Sequence, residues 1–227
     1  HAGDGAVLKM DFTNFFPSIR ARDWAQFCNE NSVFSEEEDI AVTSRILFYR
    51  RKGSSSLRLS IGAPTSPMLS NILMRQFDER VTEKVAELSR GHITYTRYAD
   101  DLTFSAPRTG YLQEVPRAVK AIVRSTRHPK LTVNSNKTVL ATRKYKRFVT
   151  GLVLANDGRV TIGRDRKRTI RATVHSAMRG LLNEEQRQEL LGLLAYIHSV
   201  EPAFTRKLME WYGADFMQTL RKSLKQV

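Results

Sequence analysis

The segment Tyr95–Ser105, with the sequence YTRYADDLTFS, decides how this chain is interpreted. It places two adjacent carboxylates, Asp100 and Asp101, between two apolar-rich runs that favour β-structure. Neighbouring side chains on a regular strand point to opposite faces of the sheet. The two carboxylates therefore serve one site only if the chain turns there. The pattern predicts a tight hairpin, with residues 93–99 entering the turn and residues 102–104 leaving it.

The composition of the chain points to a globular protein with a polyanionic partner. Its 227 residues are 41% hydrophobic, which is enough for a sizeable core in one or two domains. The formal net charge of +14 favours nucleic acid or an anionic membrane surface as the partner. The sequence has no apolar run long enough to span a membrane and no signal peptide, so nucleic acid is the better interpretation.

The cysteine and histidine content argues against disulfides and a zinc site. Cys28 is the only cysteine, which excludes an intrachain disulfide and agrees with a reducing, cytoplasmic compartment. The five histidines show no metal-ligand spacing. The chain enters a motif almost directly after His1, so we expect it to be a fragment that lacks an N-terminal part.

Hydrophobic periodicity predicts strands and helices that alternate irregularly along the chain. Residues 6–10 are a predicted strand that ends at Asp11, and Ser35 is a predicted N-cap for a helix that runs to Phe48. Further strands are predicted at 131–133, directly after Thr138, at 148–154 and at 159–162, and further helices at 18–31, 68–88, 114–124, 168–182, 184–198 and 203–225. The helix at 68–88 carries one apolar stripe, formed by Leu69, Ile72, Leu73, Phe77, Val81, Val85 and Leu88.

The composition changes near Gly163. The segment from Arg164 onward is predicted to be helical and basic, and residues 143–227 carry a net charge of +9 against +5 for residues 1–142. We therefore predict two domains, at 1–163 and at 164–227.

Three acidic residues form a candidate metal site. Asp11 ends a predicted strand, and Asp100 and Asp101, 89 residues further on, lie in a predicted hairpin. Neighbouring strands of one sheet would bring them together. A phosphoryl-transfer enzyme needs two divalent cations, one to activate the attacking hydroxyl and one to hold the triphosphate. Mg²⁺ prefers oxygen ligands and keeps several waters, so a few carboxylates suffice.

Five motifs in order resemble those of reverse transcriptases, and in particular those of the bacterial retron type. The YADD sequence at residues 98–101 resembles the catalytic hairpin of that family. The other four are VLKMDFTNFFPSI at Val7–Ile19, GAPTSPMLSN at Gly62–Asn71, NSNKT at Asn134–Thr138 and FVTGL at Phe148–Leu152. The matches run from Ala6 to about Arg171, and the remaining residues resemble only a generic basic, helical thumb.

The resemblance implies an α+β fold with an antiparallel sheet packed on helices, the reverse-transcriptase palm with a remnant of the fingers, followed by a helical thumb. It implies an RNA-directed DNA polymerase that uses dNTPs, an RNA template and a DNA or RNA primer. Retron enzymes are paired with their own structured non-coding RNA, prime from an RNA 2′-hydroxyl and are implicated in anti-phage defence. A cognate RNA and an effector protein are therefore expected partners.

The resemblance also implies roles for individual residues. Asp11 and Asp100 would be the main ligands of two Mg²⁺ ions, which Mn²⁺ could replace. Asp101 would be a more peripheral catalytic acid, and the backbone carbonyl of Phe12 would complete the second metal site. Nucleotide-binding residues would be Phe16 as a steric gate against a ribose 2′-hydroxyl, Lys137 near the pyrophosphate, and the small residues Gly62, Ala63 and Ala99. The primer grip would comprise Val149, Thr150, Gly151 and Leu152.

Two departures from the family pattern are visible. Ile61 stands where the family often has Gln before the glycine of the second motif, which puts one hydrogen bond to the nucleotide in doubt. The triphosphate-binding fingers residues of the family lie upstream of its first motif, so we expect this chain to lack them.

Two basic stretches are candidates for contact with nucleic-acid backbone. Residues 50–52 and Arg58 would contact the template. The second stretch would contact a duplex or a structured RNA, and it comprises Arg164, Arg166, Lys167, Arg168 and Arg171. Four of these, all but Arg166, share one face if the segment is helical.

Other functions remain open at this point. The chain could be a defence-associated, diversity-generating or group II intron reverse transcriptase, or an RNA-binding palm without catalysis. A palm-fold cyclic-nucleotide synthase would also use carboxylates and metal, but the Gly-Gly-acidic signature of diguanylate cyclases is missing.

Overall fold

A computed structural model describes residues 1–213 together with Asp215, Gln218 and Leu220. The chain divides into two compact units. The first unit holds His1 and Gly3–Tyr145, and the second unit holds Ala2 and the described residues from Lys146 onward. The units divide before Gly163, and the palm–thumb boundary predicted there stays a prediction.

A four-stranded antiparallel sheet forms the centre of the first unit. Its strand order is β4-β5-β1-β6, so strands distant in sequence are neighbours. The bounds are Ala6–Asp11 for β1, Thr94–Tyr98 for β4, Asp101–Ala106 for β5 and Val139–Thr142 for β6. β1 and β5 are the inner strands and are almost wholly buried, because their apolar runs pack in the core.

Five helices and a small hairpin complete the first unit as described. The helices are α1 at Phe15–Ser18, α2 at Ala21–Glu30, α3 at Glu37–Leu47, α4 at Ser66–Ser89 and α5 at Val115–Ser125. β2 at Tyr49–Arg50 pairs with β3 at Leu57–Arg58. Short 3-10 helices lie at Thr109–Leu112 and Ser135–Lys137.

The longest helix, α4, packs against the sheet through the predicted apolar stripe. Five of its seven stripe residues are buried: Leu69, Leu73, Phe77, Val81 and Val85. They share one core with Met10, Leu102 and Phe104 of the inner strands. Ile72 is half-buried and Leu88 is exposed. The buried stripe is therefore narrower than the sequence pattern predicts. Burial of these side chains holds the helix on the sheet.

The second unit combines a three-stranded antiparallel sheet with helices. β7 at Arg147–Val149, β8 at Leu152–Leu154 and β9 at Val160–Thr161 pair in that order. The helices are α6 at Arg164–Met178, α7 at Glu184–Val200 and α8 at Pro202–Tyr212. One apolar cluster holds Ile162, next to the sheet, together with helical residues such as Ile170, Leu194 and Leu208.

Several boundaries differ from the predictions. Ser35 is not the N-cap of α3, which is Glu36. Residues 131–133 are not a strand, since only Val133 forms an isolated bridge, to Phe12. Residues 148–154 are two strands of a hairpin and not one strand, because the chain turns between β7 and β8. The first thumb helix begins earlier than predicted, at Arg164.

The remaining predicted elements are present, although the helix predicted at 18–31 begins at Ala21, after the separate short helix α1, and the helix predicted at 168–182 ends at Met178. The fold is α+β, and within the strand predicted at 159–162 the structure has β9 at Val160–Thr161, which pairs with β8. The helix predicted at 203–225 is described over Pro202–Tyr212, and most of its later part, including Lys225, lies outside the described residues. No helix in the described part of the chain has the length and apolarity needed to cross a membrane.

Candidate active site

The three acids predicted from sequence lie at one end of the inner strands of the first unit. Asp11, the last residue of β1, is directly opposite Asp101, the first residue of β5. The backbone N–H of Phe12 donates a hydrogen bond to the carbonyl of Asp100 over 3.2 Å. Antiparallel pairing therefore brings together carboxylates from two distant parts of the chain.

The hairpin between β4 and β5 has a two-residue turn. Tyr98 pairs with Asp101, so Ala99 and Asp100 form the turn. Ala99 has a φ of 50°, in the left-handed region that residues with a Cβ rarely adopt. The hairpin predicted from sequence is confirmed, but its turn lies one residue earlier than predicted, because Asp101 pairs with Tyr98 as the first residue of β5. Because of the turn, Asp100 and Asp101 are not alternating residues of one straight strand, and both can serve one site.

Lys137 and Asp11 are joined by a hydrogen bond and ion pair. The Lys137 ammonium donates to Oδ2 of Asp11 over 3.0 Å, and the Asp11 side chain is 9% exposed. This hydrogen bond raises the pKa of Lys137 above its ordinary value and keeps the ammonium charged. The backbone supports the pair, since the Asn134 N–H donates to the Asp11 carbonyl over 2.7 Å.

The Asp100 carboxyl lies in surroundings that disfavour its ionised form. The pKa of Asp100 is raised, first by burial of its carboxyl and then by the charges of Asp11 and Asp101, although its own backbone N–H opposes the shift. Lys9 lies 3.5 Å from Oδ2 of Asp101 and offsets part of the negative charge. A carboxyl whose pKa is raised by burial and by neighbouring carboxylates is typical of functional sites.

The donor set suits a divalent cation. Oδ1 of Asp11 is buried and has no hydrogen-bond partner among the described residues, although a buried carboxylate oxygen normally has one. A cation would supply the missing partner, and carboxylate oxygens are the ligands that Mg²⁺ prefers. Among residues 1–213, 215, 218 and 220, however, no three His, Cys, Asp or Glu side chains form a ready-made metal cluster.

The aromatic residues that follow Asp11 form a stacked group. The Phe12 side chain is 1% exposed, and its ring is 5.7 Å from that of Phe15. Phe16 is half-buried, packs on the same core and meets Phe15 edge-on at 5.2 Å. Phe16 therefore has core contacts whether or not it also acts as a gate, and the role of the Phe12 carbonyl stays a prediction.

The loop before α4 carries the other predicted nucleotide residues. Gly62 has a φ of +86°, and no described atom lies within 4 Å of where a Cβ would be. Glycine is therefore favoured there by the backbone conformation rather than by a close neighbour. The Ala63 carbonyl accepts a hydrogen bond from the Ser66 N–H at the start of α4. Ile61, at the departure from the family pattern, is 75% exposed.

The predicted primer grip belongs to the second unit and is a hairpin. Val149 pairs with Leu152, and Thr150 and Gly151 form the turn with φ values of 47° and 80°. Its role stays a prediction.

The predicted basic face lies on α6 but is not uniform. Arg164, Arg166 and Arg168 are exposed. Lys167 is half-buried, forms an ion pair with Glu201 and lies 5.5 Å from the centre of the Phe204 ring. Arg171 is exposed and lies 5.6 Å from the centre of the Trp211 ring.

Sequence reasoning missed two charged groups. One joins Asp78 on α4 to Arg97 and Tyr95 on β4. The other joins Glu201 to Lys167 and Thr161. Neither has a recognisable spacing, because partners of this kind meet only when the chain folds.

Comparison with known structures defines the class of fold. The structure is similar to telomerase from Candida albicans in complex with a TWJ fragment of telomeric RNA, with a TM-score of 0.53, 13% identity, and coverage of 96% of this chain and 40% of that one. It is also similar to the foamy viral protease-reverse transcriptase in complex with an RNA/DNA hybrid, with a TM-score of 0.51, 14% identity, and coverage of 99% and 28%. At these identities the likeness concerns the fold alone.

Comparison of sequences defines the family. The model of the family described as "Reverse transcriptase (RNA-dependent DNA polymerase)" matches residues 1–181. The Ec83 retron reverse transcriptase of Escherichia coli is 32% identical over 98% of this chain and 71% of its own length. The Ec73 retron enzyme of the same organism is 30% identical over 90% of this chain and 65% of its own length.

The chain belongs to the reverse transcriptase family of RNA-directed DNA polymerases, and within it to the retron type. It spans 61–71% of the length of three Escherichia coli retron relatives that it matches.

Proposed function

We propose that this protein synthesises DNA on an RNA template, with Asp11, Asp100 and Asp101 as its catalytic acids. The observation that carries the proposal is the register pair of Asp11 and Asp101 beside the Asp100 turn. The orphaned Oδ1 of Asp11, which has no partner in the described part of the chain, supports a cation at this position. Family membership supports the reaction class.

The reaction proposed is nucleotidyl transfer from a dNTP. The primer hydroxyl oxygen forms a bond to the α-phosphorus, the bond from that phosphorus to the bridging oxygen of the β-phosphate breaks, and pyrophosphate leaves. The hydroxyl loses one proton and the leaving group gains one. Bound Mg²⁺ or Mn²⁺ would neutralise phosphate charge in this step.

The side chains of the site have separate tasks in this proposal. Asp11 and Asp100 hold the cations, with the Phe12 carbonyl as a further ligand and Asp101 at the periphery. Lys137 faces the pyrophosphate. Its raised pKa favours the charged ammonium, so stabilisation of negative charge suits it better than proton donation.

We extend the proposal to the nucleotide pocket and the duplex. Phe16, Gly62, Ala63 and Ala99 would contact the dNTP, and residues 149–152 the primer. The exposed residues Arg164, Arg166, Arg168 and Arg171 would contact duplex backbone. Lys167 already pairs with Glu201, so its charge is less available to phosphate than the sequence pattern implies.

The partners proposed follow from the retron relatives. The partners are a cognate structured non-coding RNA and an effector protein. With them the protein would act in anti-phage defence in the bacterial cytoplasm. Sequencing the RNA that co-purifies with the intact protein tests the first of these. A single enriched structured RNA is the expected result, and a random sample of cellular RNA would contradict it.

A primer-extension assay tests the activity. We expect the intact protein to incorporate dNTPs on a primed RNA template, to stop when EDTA removes divalent cations and to resume when Mg²⁺ is restored. A folded protein that binds the RNA but never extends the primer would contradict the proposal and favour a non-catalytic palm.

A further inference from the structure

We propose that Arg97, Asp78 and Tyr95 are positioning residues that hold the Ala99–Asp100 turn in its catalytic conformation and join it to α4. The proposal rests on the proposed function, because it concerns the same site. None of the three side chains belongs to the predicted catalytic or nucleotide-binding set.

The guanidinium of Arg97 bonds two partners, the Asp78 carboxylate and the Ala99 carbonyl. Its Nε donates to Oδ1 of Asp78 over 2.8 Å, and its Nη2 donates to Oδ2 over 2.6 Å. Its Nη1 donates to the carbonyl of Ala99 over 3.1 Å. The Arg97 side chain is only 5% exposed, and the Asp78 side chain is 30% exposed. The planar guanidinium thus bonds a helix carboxylate and the turn at the same time.

The turn needs such support because of its backbone. Ala99 adopts a left-handed φ of 50°, which is unfavourable for a residue with a Cβ unless the surroundings hold it. Arg97 holds the Ala99 carbonyl, and the Phe12 N–H holds the next carbonyl, that of Asp100, over 3.2 Å. Both peptide groups that set the direction of the Asp100 side chain are therefore fixed by hydrogen bonds.

Tyr95 completes the network from the same strand. Its hydroxyl donates to Oδ1 of Asp78 over 2.7 Å, and its ring stacks on Phe104 at 4.8 Å. Burial and the nearby Asp78 carboxylate raise the pKa of Tyr95, so the hydroxyl stays a donor. The Asp78 carboxylate is thus held by both Tyr95 and Arg97, and it cannot rotate freely.

The network also connects two parts of the predicted site. Asp78 lies on α4, a continuous helix whose first turn follows the loop of Gly62 and Ala63. Arg97 and Ala99 lie at the turn that carries Asp100. A displacement of the turn relative to α4 would therefore alter both the carboxylate geometry and the nucleotide pocket. Misplacement by about 1 Å can lower a rate by about 100-fold.

The Arg97→Lys variant separates positioning from mere stability. Lysine keeps the charge and the pairing with Asp78, but one ammonium cannot bond Asp78 in bidentate fashion and also hold the Ala99 carbonyl. We expect kcat to fall about 10- to 100-fold and KM for the dNTP to rise, at a temperature where the variant is fully folded. Tyr95→Phe should lower kcat in the same way but by a smaller factor. It replaces Arg97→Lys as the test variant if Arg97→Lys does not fold.

The matched control is Arg75→Lys, at an exposed Arg75–Glu79 pair on the same helix. It should leave kcat and KM unchanged. Hydrogen exchange gives a readout that does not depend on activity. In Arg97→Lys, exchange over residues 95–105 should become faster while residues 66–76 of α4 keep their protection.

The outcomes distinguish this proposal from the proposed function. If the wild-type protein fails to polymerise, the proposed function fails, and faster exchange at the turn in Arg97→Lys still supports the network. Unchanged exchange together with unchanged kinetics would overturn the network. Loss of activity that only follows the unfolded fraction, with native exchange at the turn, would also overturn it.

Discussion

The candidate site of the first unit and the Glu201 pair of the second unit treat their charge in opposite ways. In the candidate site, Asp11 and Asp101 are register partners beside the Asp100 turn, the pKa of Asp100 is raised, and Oδ1 of Asp11 lacks a partner among the described residues. In the second unit, Glu201 accepts hydrogen bonds from Lys167, Thr161 and the Ile162 N–H, and these outweigh burial and lower its pKa. A buried carboxylate oxygen without a hydrogen-bond partner indicates a candidate site. A carboxylate whose hydrogen bonds are all made indicates a structural role.

The same difference separates Lys167 from its neighbours on α6. Charge alone makes Arg164, Lys167 and Arg168 equivalent in the sequence. In the structure Lys167 is committed to Glu201, and the two arginines are exposed. Basic residues that already pair with a carboxylate therefore have to be separated from exposed ones before a basic segment is assigned to nucleic-acid binding.

The largest expected effect is loss of catalysis from the first unit. Asp11→Ala and Asp100→Ala should each lower the DNA-synthesis rate of the intact protein by about two orders of magnitude or more, because each removes a predicted metal ligand. The unfolding midpoint should change little, since alanine removes the unpartnered Oδ1 of Asp11 or the carboxyl burial that raises the pKa of Asp100. Primer extension and thermal unfolding measure the two quantities, and a folded variant with a near-normal rate would refute the assignment.

Glu201 should show the opposite behaviour. Glu201→Gln breaks the pair with Lys167 and should destabilise the protein by about 1–3 kcal/mol, with catalysis affected only through stability. Denaturant unfolding measures this, with Glu189→Gln on the exposed face of α7 as the control. If Glu201→Gln and the control are equally stable, the pair has no structural importance.

The pH dependence follows from the lowered pKa of Glu201. A carboxyl whose folded pKa is below its unfolded value of 4.5 stabilises the fold above pH 4.5. This contribution is lost as the pH falls from 4.5 through the folded pKa. The wild-type protein should therefore lose its stability advantage over Glu201→Gln in that window. A difference in the free energy of unfolding between wild type and Glu201→Gln that stays constant below pH 4.5 would contradict this prediction.

A smaller effect is expected on sugar selection. If Phe16 is a steric gate, Phe16→Ala should raise the ratio of kcat/KM for ribonucleotides to that for deoxynucleotides. Phe27→Ala, at another half-buried phenylalanine of the same unit, controls for the loss of packing. An unchanged ratio in a folded, active Phe16→Ala protein would assign Phe16 to the core alone.

The smallest effect concerns the exposed arginines of α6. Replacing Arg164, Arg168 and Arg171 by Gln should weaken RNA binding and make its salt dependence less steep. The slope should fall by up to about 0.7–0.9 log units for each phosphate that the variant no longer neutralises. A salt titration of affinity on a cognate and an unrelated hairpin measures this. Lys167 is left unchanged, so that the Glu201 pair stays intact.

The control for this titration neutralises the exposed residues Arg117, Arg124 and Arg127 of the first unit. Equal slopes for wild type and the α6 variant would mean that this face does not contact phosphate. A lower slope with equal losses of affinity on both hairpins would indicate generic electrostatics, and a larger loss on the cognate hairpin would support partner recognition.

Local patterns predicted much of the first unit. The Asp100 hairpin was predictable because two β-prone runs flank a polar pair, and α4 because its apolar residues recur at helical spacing. The turn at Thr150 and Gly151 was missed, because the residues on both sides have equal β-propensity and one glycine does not distinguish a turn from a weak strand position.

Long-range pairing could not be predicted in the same way. The Asp78–Arg97 pair joins a helix to a strand, and the Lys167–Glu201 pair joins α6 to the residue between α7 and α8. Their charged residues look like solvated surface in the sequence, since nothing local states which of them will be buried. Burial, not residue type, gives these groups their importance.

The most direct test of the catalytic assignment is the single-turnover rate of dNTP incorporation on an RNA template, measured over a range of Mg²⁺ concentrations. Three forms of the intact protein are compared: wild type, Asp100→Asn, and Asp39→Asn at an exposed acid of α3. We predict that Asp100→Asn is about 100-fold slower or worse at every Mg²⁺ concentration while its unfolding midpoint is unchanged, and that Asp39→Asn matches the wild type. A folded Asp100→Asn protein with the wild-type rate would contradict the catalytic role of the hairpin carboxylates.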